Sequence, residues 1–116
     1  MDFNIIFIFH LEANSPKSIN NVLNKIKKIL GKELDLNIID VNENTFYVKK
    51  ESKNWENCIY EIIKLSQEIG RQWIIIGNIN YNINLWTNDP AIVGVKSIEI
   101  DCDCINETEQ FTQNYE

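Results

Sequence analysis

Residues 3 to 9, Phe-Asn-Ile-Ile-Phe-Ile-Phe, form an almost unbroken run of β-branched and aromatic side chains. Such a run predicts a strand covered on both faces, at the centre of a sheet. The other elements must then be arranged around it. Ser15 can accept a backbone N–H at a helix start and Pro16 suits the first helical position. Ile19, Val22, Leu23, Ile26, Ile29 and Leu30 follow at three- and four-residue spacing, with Gly31 as the expected stop.

Residues 36 to 41 and 45 to 49 are short β-type runs around Asn42-Glu43-Asn44, which predicts a hairpin. A second helix is expected next, capped by Asn54 or Ser52. Its apolar stripe of Trp55, Cys58, Ile59, Ile62, Ile63, Leu65 and Ile69 ends at Gly70. Trp73 to Ile76 read as another buried strand, with Gly77-Asn78 as a two-residue turn. Ile79, Tyr81, Ile83 and Leu85 then alternate with Asn80, Asn82 and Asn84, placing apolar groups on one sheet face and amides on the other. Residues 86 to 90, Trp-Thr-Asn-Asp-Pro, read as a loop, and Ile92 to Cys102 as a last strand.

These elements predict one α+β domain over residues 1–105, followed by an acidic polar tail at 106–116. In that domain, two helices pack on one face of a mainly antiparallel sheet of five to six strands. The first six elements follow the ferredoxin-like order, and a different sheet order of the same elements is the rival. With 116 residues, 44% of them hydrophobic, the chain has enough apolar material for one core.

Charge divides the chain unevenly. Glu99, Asp101, Asp103, Glu107, Glu109 and Glu116 supply six acids in the last eighteen residues, and no Lys or Arg follows Lys96. The preceding residues balance eleven acids with eleven bases, so the net charge of −6 resides at the C-terminal end. That field attracts cations or a basic surface and repels nucleic acid. Nucleic-acid binding is disfavoured further by a pI near 4.8 and by the interruption of Lys49, Lys50 and Lys53 by Glu51. No run approaches the ~20 apolar residues of a membrane span and no signal-peptide pattern opens the chain, so a cytoplasmic protein is expected. Cys58, Cys102 and Cys104 are expected to be reduced thiols, and Asn106-Glu107-Thr108 is a chance match to a glycosylation sequon.

Period-two alternation on the last strand places Glu99, Asp101 and Asp103 on one face, ~6.6 Å apart per step, and Ile98, Ile100 and Cys102 on the other. Such a carboxylate ladder is either a docking surface for a basic partner or a solvated strand edge protected by charge. A metal reading of residues 101 to 104, Asp-Cys-Asp-Cys, lacks the four ligands of a structural zinc site, since His10 is far away in sequence. His10 and Glu12 have no evident nucleophile beside them, because Ser15 reads as a cap and Ser66 lies within a helix. Gly31, Gly70, Gly77 and Gly94 are too widely spaced for a phosphate or dinucleotide loop. Neither an enzyme nor a cofactor is expected.

Trp73 through Gly77, then Trp86-Thr87-Asn88, then the run from Ile92 to Val95 leading into Ile98-Glu99-Ile100, resembles small immunity proteins of bacterial polymorphic toxin systems, including contact-dependent growth inhibition. The resemblance covers residues 73–102. It implies a cytosolic, non-catalytic protein that binds and neutralises one cognate toxin domain, frequently a nuclease. With the ladder, it makes Trp86, Glu99, Asp101 and Asp103 the expected toxin-binding residues. The alternative is a small ferredoxin-like regulatory or ligand-binding domain. An exposed strand near the C-terminus can also pair across the axis of a homodimer.

Overall fold

The computed structural model describes residues 2–12, 14–34, 37–78 and 80–104, with the backbone alone at 33, 34 and 37–40. Its elements are β1 (Asp2–Leu11), α1 (Pro16–Leu34), β2 (Asn37–Asn42), β3 (Thr45–Glu51), α2 (Trp55–Ile69), β4 (Gly70–Arg71), β5 (Ile74–Asn78), β6 (Asn82–Thr87), β7 (Asp89–Pro90) and β8 (Val95–Asp103). Six strands form one sheet in the order β2-β3-β1-β8-β6-β5, with every neighbouring pair antiparallel. A separate ribbon pairs β4 with β7. Both helices pack against one face of the large sheet, which is the expected α+β architecture. The acidic tail expected from residue 106 lies outside the described residues.

The segment β2-β3-β1 has the ferredoxin-like pairing, but the strand that directly follows α2 does not return to β1. The chain runs out to the far edge as β5, turns back as β6, and only the last strand, β8, pairs with β1. The most acidic strand is thereby placed in the middle of the sheet, and the reading of Glu99, Asp101 and Asp103 as a charged edge is overturned.

Alternation along β1 buries Phe3, Ile5, Phe7 and Phe9 at 2% exposure or less. They share one core with Val22, Ile26 and Leu30 of α1 and with Ile62, Leu65 and Ile69 of α2. Edge-on contact of Phe9 with Phe46 across β3, ring centroids 5.6 Å apart, adds to this layer. The opposite face of β1 is not covered as the apolar run predicts: Ile6 and Ile8 are only half-buried there. Both helical stripes are used on the other side, so no described element remains to cover this one.

Boundaries follow local chemistry. Asn54, not Ser52, caps α2, its Oδ1 accepting the Asn57 N–H at 2.8 Å. Helix α1 continues one turn beyond Gly31, where open space surrounds the backbone and helical φ costs only the usual ~1 kcal/mol for glycine. Gly77 and Asn78 belong to β5. The turn lies beyond them and closes where the Tyr81 N–H donates to the Asn78 carbonyl at 2.9 Å. Trp86 and Thr87 extend β6 instead of opening a loop. Buried Thr87 donates to the Arg71 carbonyl and accepts the Asp89 N–H, which ties the β4-β7 ribbon to the sheet and makes Asp89-Pro90 a strand. Of Trp73–Ile76, expected to be a buried strand, only Ile74–Ile76 belong to β5, and they are exposed at the sheet edge. Trp73 precedes the strand, half-buried against the core with its indole N–H donating to the Ser66 carbonyl of α2 at 2.7 Å.

The two faces of β1 differ in energy. Phe7→Ala should cost about 3–5 kcal/mol by opening a cavity in the core, whereas Ile6→Ala should cost well under half of that, its side chain being already half in water. Urea unfolding of the two variants checks the difference, and equal losses would contradict one-sided burial.

Candidate functional site

The face of the sheet away from the helices is assembled by register. In its middle row, Ile6 of β1 pairs with Asp101 of β8, which pairs with Asn84 of β6, which pairs with Ile76 of β5. In the next row, Ile8 faces Glu99, Glu99 faces Trp86, and Trp86 faces Ile74. In the row beyond Asp101, Asn4 faces Asp103 and Asp103 faces Asn82. All four residues expected to bind a partner, Trp86, Glu99, Asp101 and Asp103, therefore lie on one continuous surface and are half-buried. The carboxylates occupy its central strand. Ile6 and Ile8 lie beside them on β1, and on the other side Asn82, Asn84 and Trp86 of β6 separate them from Ile74 and Ile76 of β5.

The amides of β6 temper this charge along diagonals. Asn84 Nδ2 donates to Glu99 Oε1 at 3.0 Å, and Asn82 Nδ2 reaches Asp101 Oδ1 at 3.4 Å, a long contact. Burial raises the Asp101 pKa above its ordinary value. The Asn82 bond opposes that shift, and the neighbouring Asp103 and Glu99 charges add to it. An ionised Asp101 is thus held at a cost that a partner's cation would relieve. Carboxylates two residues apart on a rigid central strand cannot swing away from one another as they could on a loop.

Other candidate groups play different parts. Cys58 and Cys102 are fully buried on the helix side of the sheet. Burial pushes the Cys58 thiol up to about 11 and raises that of Cys102, so both remain protonated core residues at neutral pH. The two aspartates and Cys102 point to opposite faces, and no group of three or more His, Cys, Asp or Glu placed to hold a metal occurs among the described residues. His10 is exposed at the end of β1, and register places Ser97 opposite it, a neighbour that sequence reading missed. Glu12 is exposed beyond a register shift, away from any buried position from which a carboxylate orients a catalytic histidine. Lys25, Lys27, Lys28 and Lys32 are all exposed along α1. An open groove of about 520 Å³ lies at the start of α2, lined by Asn54, Trp55, Glu56, Ile59 and Asn80. Among the described residues Glu56 is its only charged lining residue and is exposed, so they bring no converging buried polar groups to the groove.

The ladder was legible because alternation and composition mark it, whereas Trp86 was singled out only as a nearby aromatic in a segment read as a loop, and its place on β6 came from the structure. Ile6, Ile8, Ile74, Ile76, Asn82 and Asn84 were not recognised as parts of the same surface, because their membership depends on the pairing of β8 with β1 and β6. No helix among the described residues is long and apolar enough to cross a membrane. Comparison with family models, curated proteins and solved structures finds no match to this chain.

The raised Asp101 pKa has a definite sign. The folded state holds this proton more tightly than the unfolded state, so the site gains stability as pH falls through the raised value toward the ordinary 3.8 and is a cost above it. Asp101→Asn keeps the shape and removes the charge. It should unfold at higher denaturant than the parent protein at pH 7, with the difference shrinking through that window and gone below it. Paired chemical denaturation at pH 7 and pH 3.5 checks this, and a less stable variant at pH 7 would contradict the assignment.

Proposed function

We propose that this chain is a non-catalytic immunity protein, acting in the cytoplasm, that binds and neutralises a cognate toxin domain bearing a basic surface, such as a nuclease. The observation that carries this reading is the convergence of Trp86, Glu99, Asp101 and Asp103 on one uncovered sheet face, with Ile6 and Ile8 beside them. Protein interfaces draw affinity from a few desolvated aromatic and apolar anchors, and draw association rate and selectivity from complementary charge. This face has both, on strands that need little ordering before they bind.

The toxin class follows from the same chemistry. An enzyme that grips phosphate presents clustered Lys or Arg, and a row of carboxylates ~6.6 Å apart competes for those cations. Partial desolvation of Asp101 in the free protein favours such an exchange, because an incoming cation stabilises a charge already partly stripped of water. The resemblance over residues 73–102 supports the same class of partner.

Co-expression with the C-terminal domain encoded immediately upstream of its gene should give a one-to-one complex and restore growth. Reversing Asp101 and Asp103 to Lys together should weaken that complex by at least about tenfold, and the loss should shrink as salt screens the parent interface. Unchanged affinity in a folded double variant would remove the ladder from the interface. Failure of the neighbouring domain to bind or to poison cells would remove the immunity reading.

A further inference from the structure

We propose that β5 is a self-association edge, at which a second copy of this chain adds its own β5 in antiparallel register to join the two sheets. This pairing does not require the immunity function. Ile74, Ile75 and Ile76 are 51%, 52% and 63% exposed, and every residue of β5 is exposed. Edge strands that must remain single carry charges, prolines or bulges. The opposite edge, β2, has a register irregularity between Ile38 and Asp40. The pairing of β5 with β6 runs from Ile74 to Asn78 without one, and the strand, Ile-Ile-Ile-Gly-Asn, contains neither a charge nor a proline.

Charge selects a second copy for this edge and excludes it from the acidic face. Two copies meeting face to face would bring Glu99, Asp101 and Asp103 against their equivalents, whereas two β5 strands meet without charge and keep the ladders two strands back in each protomer. The edge is also self-complementary. A two-fold axis at Ile75 places Ile74 opposite the partner's Ile76, and the reverse, on the face that carries Trp86. It places Ile75 opposite its own equivalent on the helix side. Cross-strand pairs of β-branched residues of this kind are favourable on both faces of a sheet. The uncharged interface is short, below the ~800 Å² per partner of a standard stable complex, so the dimer is weak and forms at high concentration.

Sedimentation velocity of the full chain from about 1 μM to about 1 mM, the range in which small interfaces associate, tests the proposal. The weight-average mass should rise from that of one chain toward twice that value. Ile76→Lys should raise the dissociation constant at least about tenfold, because the new charge enters the two-fold interface twice. Hydrogen exchange on the unaltered protein provides a measurement that does not rely on a variant's folding: β5 amides should gain protection with concentration while those of β2 do not. A monomer throughout, a dimer unaffected by Ile76→Lys, or β5 exchange independent of concentration would each overturn the proposal.

Discussion

The pairing of β8 with β1 is the constraint on which the rest of the structure depends. It brings the last described strand beside the first and joins Ile98, Ile100 and Cys102 to the phenylalanine layer of β1 in one core. A strand has only two faces, so burying those residues under the helices commits Glu99, Asp101 and Asp103 to the open side. The acidic ladder therefore has its place because its neighbours in sequence are core residues. A one-residue slip of β8 would put three carboxylates under α1 and α2, at a desolvation cost the domain could not sustain.

That arrangement also explains the character of the open face. Strand β1 carries isoleucine on the side the helices do not reach, and Trp86 lies across from Glu99, so the surface mixes apolar area with fixed charge. Asn82 and Asn84 reduce the repulsion within the ladder without cancelling it, and Asp101 remains a costly charge. Strands that pair on both sides are rigid, so this cost is built into the surface and is not relieved by local rearrangement. A surface of this kind gains most from a partner that supplies cations together with apolar contact.

Much of the architecture was legible in local patterns. The helical stripes, the cap at Asn54, the hairpin around Glu43 and the alternation of Glu99, Asp101 and Asp103 depend on near-neighbour chemistry, and these survive in the structure. Residues 73 to 76 misled because a short apolar run reads alike in a covered strand and in an edge; only the position of β5 beyond the reach of both helices separates the two. Gly31 misled because a glycine can be crossed by a helix for ~1 kcal/mol, and α1 runs on to Leu34. The membership of Ile6, Ile8 and Ile76 in the candidate surface was hidden for a third reason: it follows from non-local register, which no single segment encodes.

The most direct test is methyl-detected NMR of this protein, labelled at isoleucine and mixed with the C-terminal domain of whatever protein is encoded immediately upstream of its gene. Binding through the open sheet face should give cross-saturation and shift changes at Ile6 and Ile8, and at the Trp86 indole, with Ile26, Ile62 and Ile98 in the core little affected. Transfer confined to the exposed helix surfaces, with the open sheet face silent, would contradict it.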